Sequence, residues 1–256
     1  MALILLAHVL QKPKTWVLAH PNFHLNPDQK AYLEQLVSRL QQGEPLPYLT
    51  GMQAFYGLDF AVSPAVLIPR PETELLVEQA LSWLDAHPDA KHALDVGTGS
   101  GCIAVTLATR KLWLTVTATD LSPTALSIAK QNAASHQASA QIIFELADLY
   151  PSGSQTFDLV CANLPYIPTR KLVEVNTLAF EPTLALDGGA DGLSLIRRLL
   201  DQLPPKLNSP ALVLLETEAT LGAETLALAK ETFPKADLSL LQDLAGLDRL
   251  VRIEVS

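Results

Sequence analysis

From Pro71 onward, short apolar runs alternate with amphipathic segments, and this alternation most restricts how the chain can fold. Alternating strands and helices are typical of a parallel sheet that is covered by helices on both faces. The apolar runs predict seven strands, near residues 92–96, 115–119, 141–145, 157–162, 211–216, 237–241 and 248–254. The amphipathic segments predict a helix that opens at 71–74 and further helices near 101–110, 122–135, 191–203 and 219–232. Because Gly246 separates the last two strands, we expect an antiparallel ending on an otherwise parallel sheet.

The first 70 residues lack this alternation and predict a different organisation. Residues 1–43 are interrupted by Pro13 and Pro21, and they indicate helices throughout. Asn26 and Pro27 predict the N-cap and first residue of one helix. That helix would end at Gly43 and bury a stripe of residues spaced three to four apart, namely Tyr32, Leu33, Leu36, Val37 and Leu40. Residues 44–70 are rich in proline and alternate in polarity at 58–62, which predicts a hairpin-like linker before an α/β domain at 71–256.

Composition and charge narrow the classes of partner and the cellular compartment. Of the 256 residues, 48% are hydrophobic, which is enough for a substantial core, and the net charge of −9 argues against a broad grip on nucleic-acid phosphates. Cys102 and Cys161 show no metal-ligand spacing, so we expect neither a metal site nor a disulfide framework. The apolar segment 1–10 is about half as long as a membrane span. We therefore expect a cytoplasmic monomer without membrane or direct nucleic-acid contacts.

A glycine-rich loop follows the strand predicted at 92–96 and precedes a predicted helix. Its residues are Gly97, Thr98, Gly99, Ser100 and Gly101. Glycines at such a junction permit a tight turn and a close approach of the backbone to a ligand, although they also occur in turns that bind nothing. Asp95, which precedes the loop, could brace it or meet a cofactor's ammonium group through water.

Asp120 ends the next predicted strand, where an acidic side chain can accept hydrogen bonds from both hydroxyls of an adenosine ribose. The alternative role for Asp120 is a helix N-cap, but Ser122 can serve instead. Leu149, two positions after the segment 142–147, should lie over the adenine. Together with the glycine loop, these residues predict a site for S-adenosylmethionine and its product S-adenosylhomocysteine.

A second loop with chemical content, Asn163-Leu164-Pro165-Tyr166, directly follows the apolar run 157–162. An amide nitrogen is a poor nucleophile, because its lone pair is delocalised into the carbonyl. The Asn163 side-chain oxygen and the Leu164 carbonyl could accept its two N–H groups, while Tyr166 offers a face for the planar amide. Alone, this tetrad would be a turn after a strand. Next to a cofactor loop, it predicts a methyltransferase that acts on a planar nitrogen.

The sequence resembles the bacterial protein-(glutamine-N5) methyltransferases that modify peptide-chain release factors. The resemblance rests on the two loops and on the stretches 43–51, 63–74 and 180–186, of which Ile68-Pro69-Arg70-Pro71-Glu72-Thr73-Glu74 is the most specific. It implies a seven-stranded class I, Rossmann-like methyltransferase domain preceded by a small helical domain for substrate recognition. It also implies that 97–101, Asp120, Leu149 and Asn163 contact the cofactor, and that the tetrad binds the glutamine of the release factor's Gly-Gly-Gln loop, with Asn163, Pro165 and Tyr166 as its catalytic residues.

Three departures from the family pattern bear on function. Leu164 replaces the first proline of an Asn-Pro-Pro-Tyr tetrad, which should cost about 1 kcal/mol of preorganisation without abolishing activity, because the carbonyl is the contributing group. Leu149 stands where relatives often have an aromatic residue, which weakens stacking on the adenine. The N-terminal helical part is short for the family.

Two other functions remain open from sequence. The tetrad also resembles that of ribosomal-RNA adenine N6-methyltransferases, although those proteins are usually basic and lack the 69–74 and 180–182 signatures. A regulatory protein that binds S-adenosylmethionine without turnover is the other alternative, because Leu164 and Leu149 both depart from the pattern. Single-turnover methyl transfer to a release factor distinguishes an enzyme from such a protein.

Overall fold

The computed structural model describes residues 1–172 and 180–256 and begins with four helices. They are α1 (Ala2–Leu10), α2 (Lys14–Ala19), α3 (Pro27–Gln41) and α4 (Leu46–Thr50). Asn26 caps α3 as predicted, because its side chain accepts from the Gln29 N–H at 2.8 Å while the Gln29 side chain accepts from the Asn26 N–H. The helix α4 was not predicted.

The buried stripe predicted for α3 is wrong at two positions. Tyr32 and Val37 are exposed, whereas Leu36 is fully buried and Leu33 and Leu40 pack beside it. The face that α3 buries is narrow, because its partners are the apolar side of α1, with Leu5 and Val9, and the start of the linker. The contact area of this small helical cluster is therefore too limited to cover the whole stripe.

The linker contains the predicted hairpin, formed by β1 (Met52–Phe55) and β2 (Leu58–Ala61). Its buried aromatic residues Phe55 and Phe60 join the core of the following domain. Asn132, on a helix of that domain, accepts from the Ala61 N–H at 2.7 Å and donates to the Ala61 carbonyl at 3.0 Å. The linker is thus fixed to the α/β domain by both apolar packing and hydrogen bonds.

All seven predicted strands are present and form one sheet. They are β3 (His92–Val96), β4 (Thr115–Asp120), β5 (Ile142–Leu146), β6 (Phe157–Ala162), β7 (Leu207–Glu216), β8 (Asp237–Gln242) and β9 (Asp248–Val255). Their order is β5-β4-β3-β6-β7-β9-β8, and only β9 runs against the others. The predicted antiparallel pair is confirmed, but β9 lies between β7 and β8 rather than at the edge.

Helices cover both faces of this sheet. They are α5 (Thr73–Ala86), α6 (Cys102–Arg110), α7 (Pro123–Ser135), α9 (Ser194–Gln202) and α10 (Gly222–Thr232), whereas the four-residue α8 (Thr169–Leu172) buries no side chain. One apolar core lies between the sheet and α5, α6 and the linker hairpin, and a second lies under α9 and α10. The predicted stripe of α5, at Leu76, Ala80, Trp83 and Leu84, is buried. Within residues 1–172 and 180–256, no helix combines the length and hydropathy needed to cross a membrane.

Candidate active site

Four neighbouring strands end at the same level of the sheet, and the residue at or directly after each end is chemically distinctive. In the parallel register, Val96 lies opposite both Thr119 and Ala162, and Ala162 lies opposite Leu215. The next residues along the four strands are therefore Gly97, Asp120, Asn163 and Glu216. The chain order reverses between β3 and β6, and a parallel sheet binds ligands at the carboxyl ends of strands beside such a reversal.

A cavity of about 600 Å³ opens at this edge, which is within the usual range for small-molecule sites. Most of the residues predicted to bind the cofactor or substrate line it: Gly97, Thr98, Gly99, Ser100, Asp120, Leu149, Asn163, Leu164 and Pro165. Gly101 and Tyr166 are not among its lining residues. Gly101 instead begins α6 with φ +80°, and a Cβ there would lie 3.0 Å from the Cβ of Ala129. Its missing side chain lets α6 and α7 pack closely behind the loop.

Asp120 and Asp95 hold the glycine loop from two sides. Asp120 accepts from the Gly99 N–H at 2.9 Å and from the Ser122 N–H at 2.8 Å, while Ser122 caps α7. Burial raises the pKa of Asp120, and these backbone donors partly oppose the rise. Asp95 is buried and accepts from the Thr98 hydroxyl at 2.6 Å, so it braces the loop, one of the two roles that its position suggested. Burial raises the pKa of Asp95 to about 7.

Leu149 and Leu164 form the apolar wall of the cavity. Both are buried and belong to the core under α9 and α10. Leu149 has φ +70°, and its carbonyl accepts from the Thr119 hydroxyl at 2.7 Å, which holds this unusual backbone conformation. A Cβ on Gly97 would lie 3.1 Å from Cδ2 of Leu164. The side chain of Leu164 therefore packs against the glycine loop, a role beyond the carbonyl contribution expected from sequence.

Two acceptor oxygens belong to tetrad residues that line the cavity, Asn163 and Leu164. The Asn163 carboxamide nitrogen donates to the Thr73 hydroxyl at 3.0 Å, so it is engaged on the protein side. Among the described residues, none donates a hydrogen bond to the Asn163 carboxamide oxygen or to the Leu164 carbonyl. Both oxygens can therefore accept further hydrogen bonds, and their role towards a substrate amide stays a prediction.

Tyr166 lines a smaller cavity of about 180 Å³ that adjoins the first. Asn163, Leu164 and Pro165 line both cavities, so the tetrad lies where they meet. Burial raises the pKa of the Tyr166 phenol to about 12, which keeps it protonated. The segment 187–192 packs against the tetrad backbone, and a Cβ on Gly188 would lie 2.7 Å from the Tyr166 Cα. This close packing fixes the position of the tetrad.

Several residues of the site were not singled out by the sequence reasoning. Arg70 pairs with the buried carboxylate of Glu181 at 2.6 Å and lines both cavities, so it connects the linker to the stretch 180–186. Asn132 donates to the Ser100 carbonyl at 2.8 Å. Thr73 and Glu216 stand behind Asn163 and are both 2% exposed. Their positions in the sequence could have indicated them. Arg70, Thr73 and Glu181 lie in the stretches that resemble the family, and Glu216 is an acidic residue at the end of an apolar strand.

The cysteines and acidic residues indicate no further chemistry here. Cys161 is fully buried within the sheet, and Cys102 lines the cavity. Burial raises the pKa of the Cys102 thiol to about 12, so it stays protonated and is a poor nucleophile. In the part of the chain that the structure describes, no cluster of three or more His, Cys, Asp or Glu side chains is arranged to bind a metal ion.

Comparison with known proteins identifies relatives over nearly the whole chain. The model of the PrmC N-terminal domain matches residues 1–51, and the methyltransferase small domain matches residues 72–179. The release factor glutamine methyltransferase of Geobacter sulfurreducens is 41% identical over 229 residues, covering 89% of this chain and 79% of the relative. The protein of the same name from Bacillus anthracis is 34% identical and covers 98% of this chain and 91% of the relative.

Solved structures agree on the fold. The N-terminal domain of human METTL16 in complex with SAH superposes with a TM-score of 0.52 at 18% identity, covering 77% of this chain and 76% of that one. At this identity the likeness concerns the α/β architecture alone. It supports the class I methyltransferase fold that the sequence predicted.

Proposed function

The chain belongs to the release factor glutamine methyltransferases, and on that premise we propose how its residues transfer a methyl group to a release factor. The methyl donor is S-adenosylmethionine, and the acceptor is N5 of the glutamine in the release factor's Gly-Gly-Gln loop. The observation that carries this assignment is the tetrad between two cavities, with two unengaged acceptor oxygens where they meet.

The larger cavity fits the cofactor in size and in the chemistry of its walls. S-adenosylmethionine supplies a methyl group on a positively charged sulfur. The backbone of 97–100 approaches the cofactor, and the carboxylate of Asp120 accepts from its ribose hydroxyls while it also holds Gly99. Leu149 packs against the adenine with an aliphatic side chain in place of an aromatic ring.

The smaller cavity takes the glutamine side chain. The Asn163 carboxamide oxygen and the Leu164 carbonyl accept its two N–H groups, which draws the lone pair away from the amide carbonyl and towards the methyl donor. Tyr166 provides a face for the planar amide, and Pro165 keeps Leu164 extended. Most of the acceleration comes from alignment and from acceptors fixed before substrate binds. No strong base is needed, because methylation raises the acidity of the nitrogen and the proton can leave afterwards.

The proposal also assigns a function to each part of the chain. Residues 1–43 form the substrate-recognition domain, 44–70 the linker, and 71–256 the methyltransferase domain. We further propose that the protein acts as a monomer in the cytoplasm and does not contact nucleic acid directly, which is supported by its net charge of −9. Light scattering on the purified protein tests the oligomeric state.

The deciding experiment is transfer of a radiolabelled methyl group to a folded release factor. We expect one labelled site, and we expect labelling to vanish when the loop glutamine of the release factor is replaced by alanine. Labelling of ribosomal RNA instead of the release factor would support the adenine methyltransferase alternative. Binding of S-adenosylhomocysteine in calorimetry without any transfer would support a non-catalytic role.

A further inference from the structure

Glu216 is a buried acid at the edge of the site that the proposed chemistry does not use. It is the last residue of β7 and is 2% exposed. Because Ala162 and Leu215 are paired, Glu216 stands at the level of Asn163 on the neighbouring strand. Its carboxylate oxygen Oε2 has no hydrogen-bond partner among the described residues. A buried carboxylate with an unpaired oxygen lowers the free energy of unfolding, so we expect a function that accounts for it.

Thr73 connects this carboxylate to the tetrad. It is the first residue of α5, is 2% exposed, and accepts from the Asn163 carboxamide nitrogen at 3.0 Å. The Thr73 hydroxyl and the Asn163 carboxamide both oppose the rise in the pKa of Glu216, so they stand beside the buried carboxylate. A hydroxyl carries a single hydrogen, and because the Thr73 oxygen accepts from Asn163, that hydrogen is free to turn towards Glu216. The observed bond from Asn163 to Thr73 therefore has the direction that an acceptor beyond Thr73 favours.

This direction decides which end of the Asn163 carboxamide faces the substrate. The two ends of a carboxamide have nearly the same shape but opposite hydrogen-bonding character. An ionised carboxylate can only accept, so it holds the Thr73 hydroxyl as a donor and draws the Asn163 nitrogen inwards. The Asn163 oxygen is then left for the cavity. With the carboxamide reversed, its NH₂ group would oppose the N–H groups of the substrate amide, and one of the two acceptors would be lost.

We infer that Glu216 and Thr73 are positioning residues for methyl transfer, which fix the carboxamide of Asn163 with its oxygen towards the acceptor amide. This inference rests on the proposed function, because it assigns a task to the same tetrad. Glu216 lines neither cavity, and Thr73 lines the larger one with its hydroxyl engaged by Asn163. They act through Asn163, so their substitution should slow turnover while leaving cofactor binding intact.

The surroundings of Glu216 should make its positioning of Asn163 depend on pH. Burial raises its pKa to about 7, and the neighbouring Thr73 and Asn163 side chains and the charge of Arg249 oppose that rise. Glu72 raises the pKa further, and Tyr166 and Cys102 also face the carboxylate but stay neutral at this pH. Ionisation of Glu216 sets the direction of the hydrogen bonds, so kcat should rise as pH increases through about 7.

Steady-state kinetics with a release factor tests the inference. Glu216→Gln and Thr73→Val should each lower kcat by roughly 10-fold, comparable to the loss of outer partners that orient functional ligands, with KM and affinity for S-adenosylhomocysteine changed less than about twofold. Thr73→Ser keeps the hydroxyl and should keep the activity. Glu254→Gln is the matched control, since Glu254 lies on β9 opposite Leu212, four residues before Glu216 on β7, and should leave kcat unchanged.

Variants in an Asn163→Ala background separate positioning from a structural role. Neither Glu216→Gln nor Thr73→Val should lower kcat further once the carboxamide is gone, and Glu216→Gln should flatten the pH dependence of kcat near pH 7. Full activity of Glu216→Gln in the wild-type background would overturn the inference. An undiminished 10-fold loss in the Asn163→Ala background would overturn it as well.

An NMR titration tests the same contact without any substrate. The side-chain ¹⁵N–H₂ signals of Asn163, identified by their absence in Asn163→Ala, should shift with pH around 7 and lose that shift in Glu216→Gln. Signals that do not respond to pH would overturn the inference. A protein that shows this titration but methylates no release factor would refute the proposed function and leave the link between Glu216 and Asn163 standing.

Discussion

Leu164 offers the most informative single position, because its side chain and its backbone have separable tasks. The side chain is 4% exposed and contacts the glycine loop. Leu164→Ala removes about three buried carbon groups, and core replacements of this kind cost roughly 2–5 kcal/mol. Because Leu164 lines both cavities, the space left behind opens onto them and encloses no void, so we expect about 2 kcal/mol.

Leu164→Pro should cost much less. It loses roughly one methylene of packing, about 0.8 kcal/mol, and regains about 0.4–1 kcal/mol because proline restricts the unfolded chain. We therefore expect stability within about 1 kcal/mol of wild type and kcat equal or slightly higher, since the carbonyl is retained. Urea denaturation and single-turnover methylation measure the two effects. A Leu164→Ala protein as stable as wild type would refute the packing argument, and an inactive Leu164→Pro protein would refute the claim that only the carbonyl is used in catalysis.

Four further substitutions test the site. Asn163→Ala should keep the thermal midpoint near wild type but lower kcat by roughly 10²-fold or more, and a near-normal kcat would contradict the acceptor mechanism. Asp120→Ala should weaken S-adenosylhomocysteine binding by about 1–3 kcal/mol in calorimetry; an unchanged affinity would mean that the ribose is held elsewhere. Burial raises the pKa of Asp95 from its ordinary value of 3.8 to about 7, so the folded state binds the extra proton and its stability falls as pH rises from about 4 to 7. Asp95→Asn should reduce that fall by roughly 1–3 kcal/mol in denaturation at several pH values, and an unaltered slope would assign it to other groups. Arg70→Ala should destabilise the protein by about 2 kcal/mol at pH 8, less at pH 4 where the buried Glu181 can be protonated; equal losses at both pH values would mean that the ion pair is not the cause.

The sequence predicted the strands well because each is an apolar run bounded by clear helix signals. It predicted β7 from residue 211, whereas the strand begins at Leu207 and includes Pro210. In the structure, Pro210 lies where the pairing of β6 and β7 shifts register, a position at which a strand tolerates proline. The helix α4 was missed because Pro45 and Pro47, at its N-cap and second position, occur in a proline-rich stretch typical of a linker. A five-residue helix also has little periodicity.

The candidate site was only half predictable. Residues that follow a strand directly, such as Asp120 and Asn163, could be found because parallel strands gather their carboxyl ends at one edge. The partners of Asn163 could not, because Thr73 and Glu216 lie 90 residues before it and on a later strand, and only the sheet order brings them together. The same holds for Tyr32, whose exposure depends on how little of α1 is available to cover α3.

The buried acids near the strand ends lower the stability of the fold while they order the site. Asp95 and Glu216 each have a pKa raised to about 7 by burial, so keeping either ionised at neutral pH costs folding free energy. Only the ionised carboxylates act purely as hydrogen-bond acceptors. Asp95 stands behind the glycine loop and Glu216 behind the tetrad, and each loop depends on hydrogen-bond donors that keep a fixed direction. The apolar residues of β3, β6 and β7, which are fully buried in the two cores, offset that cost. Replacing these acids by neutral residues should therefore stabilise the protein above pH 7. The same replacement should make the hydrogen bonds of the site less ordered, as expected where preorganised polar groups carry the chemistry.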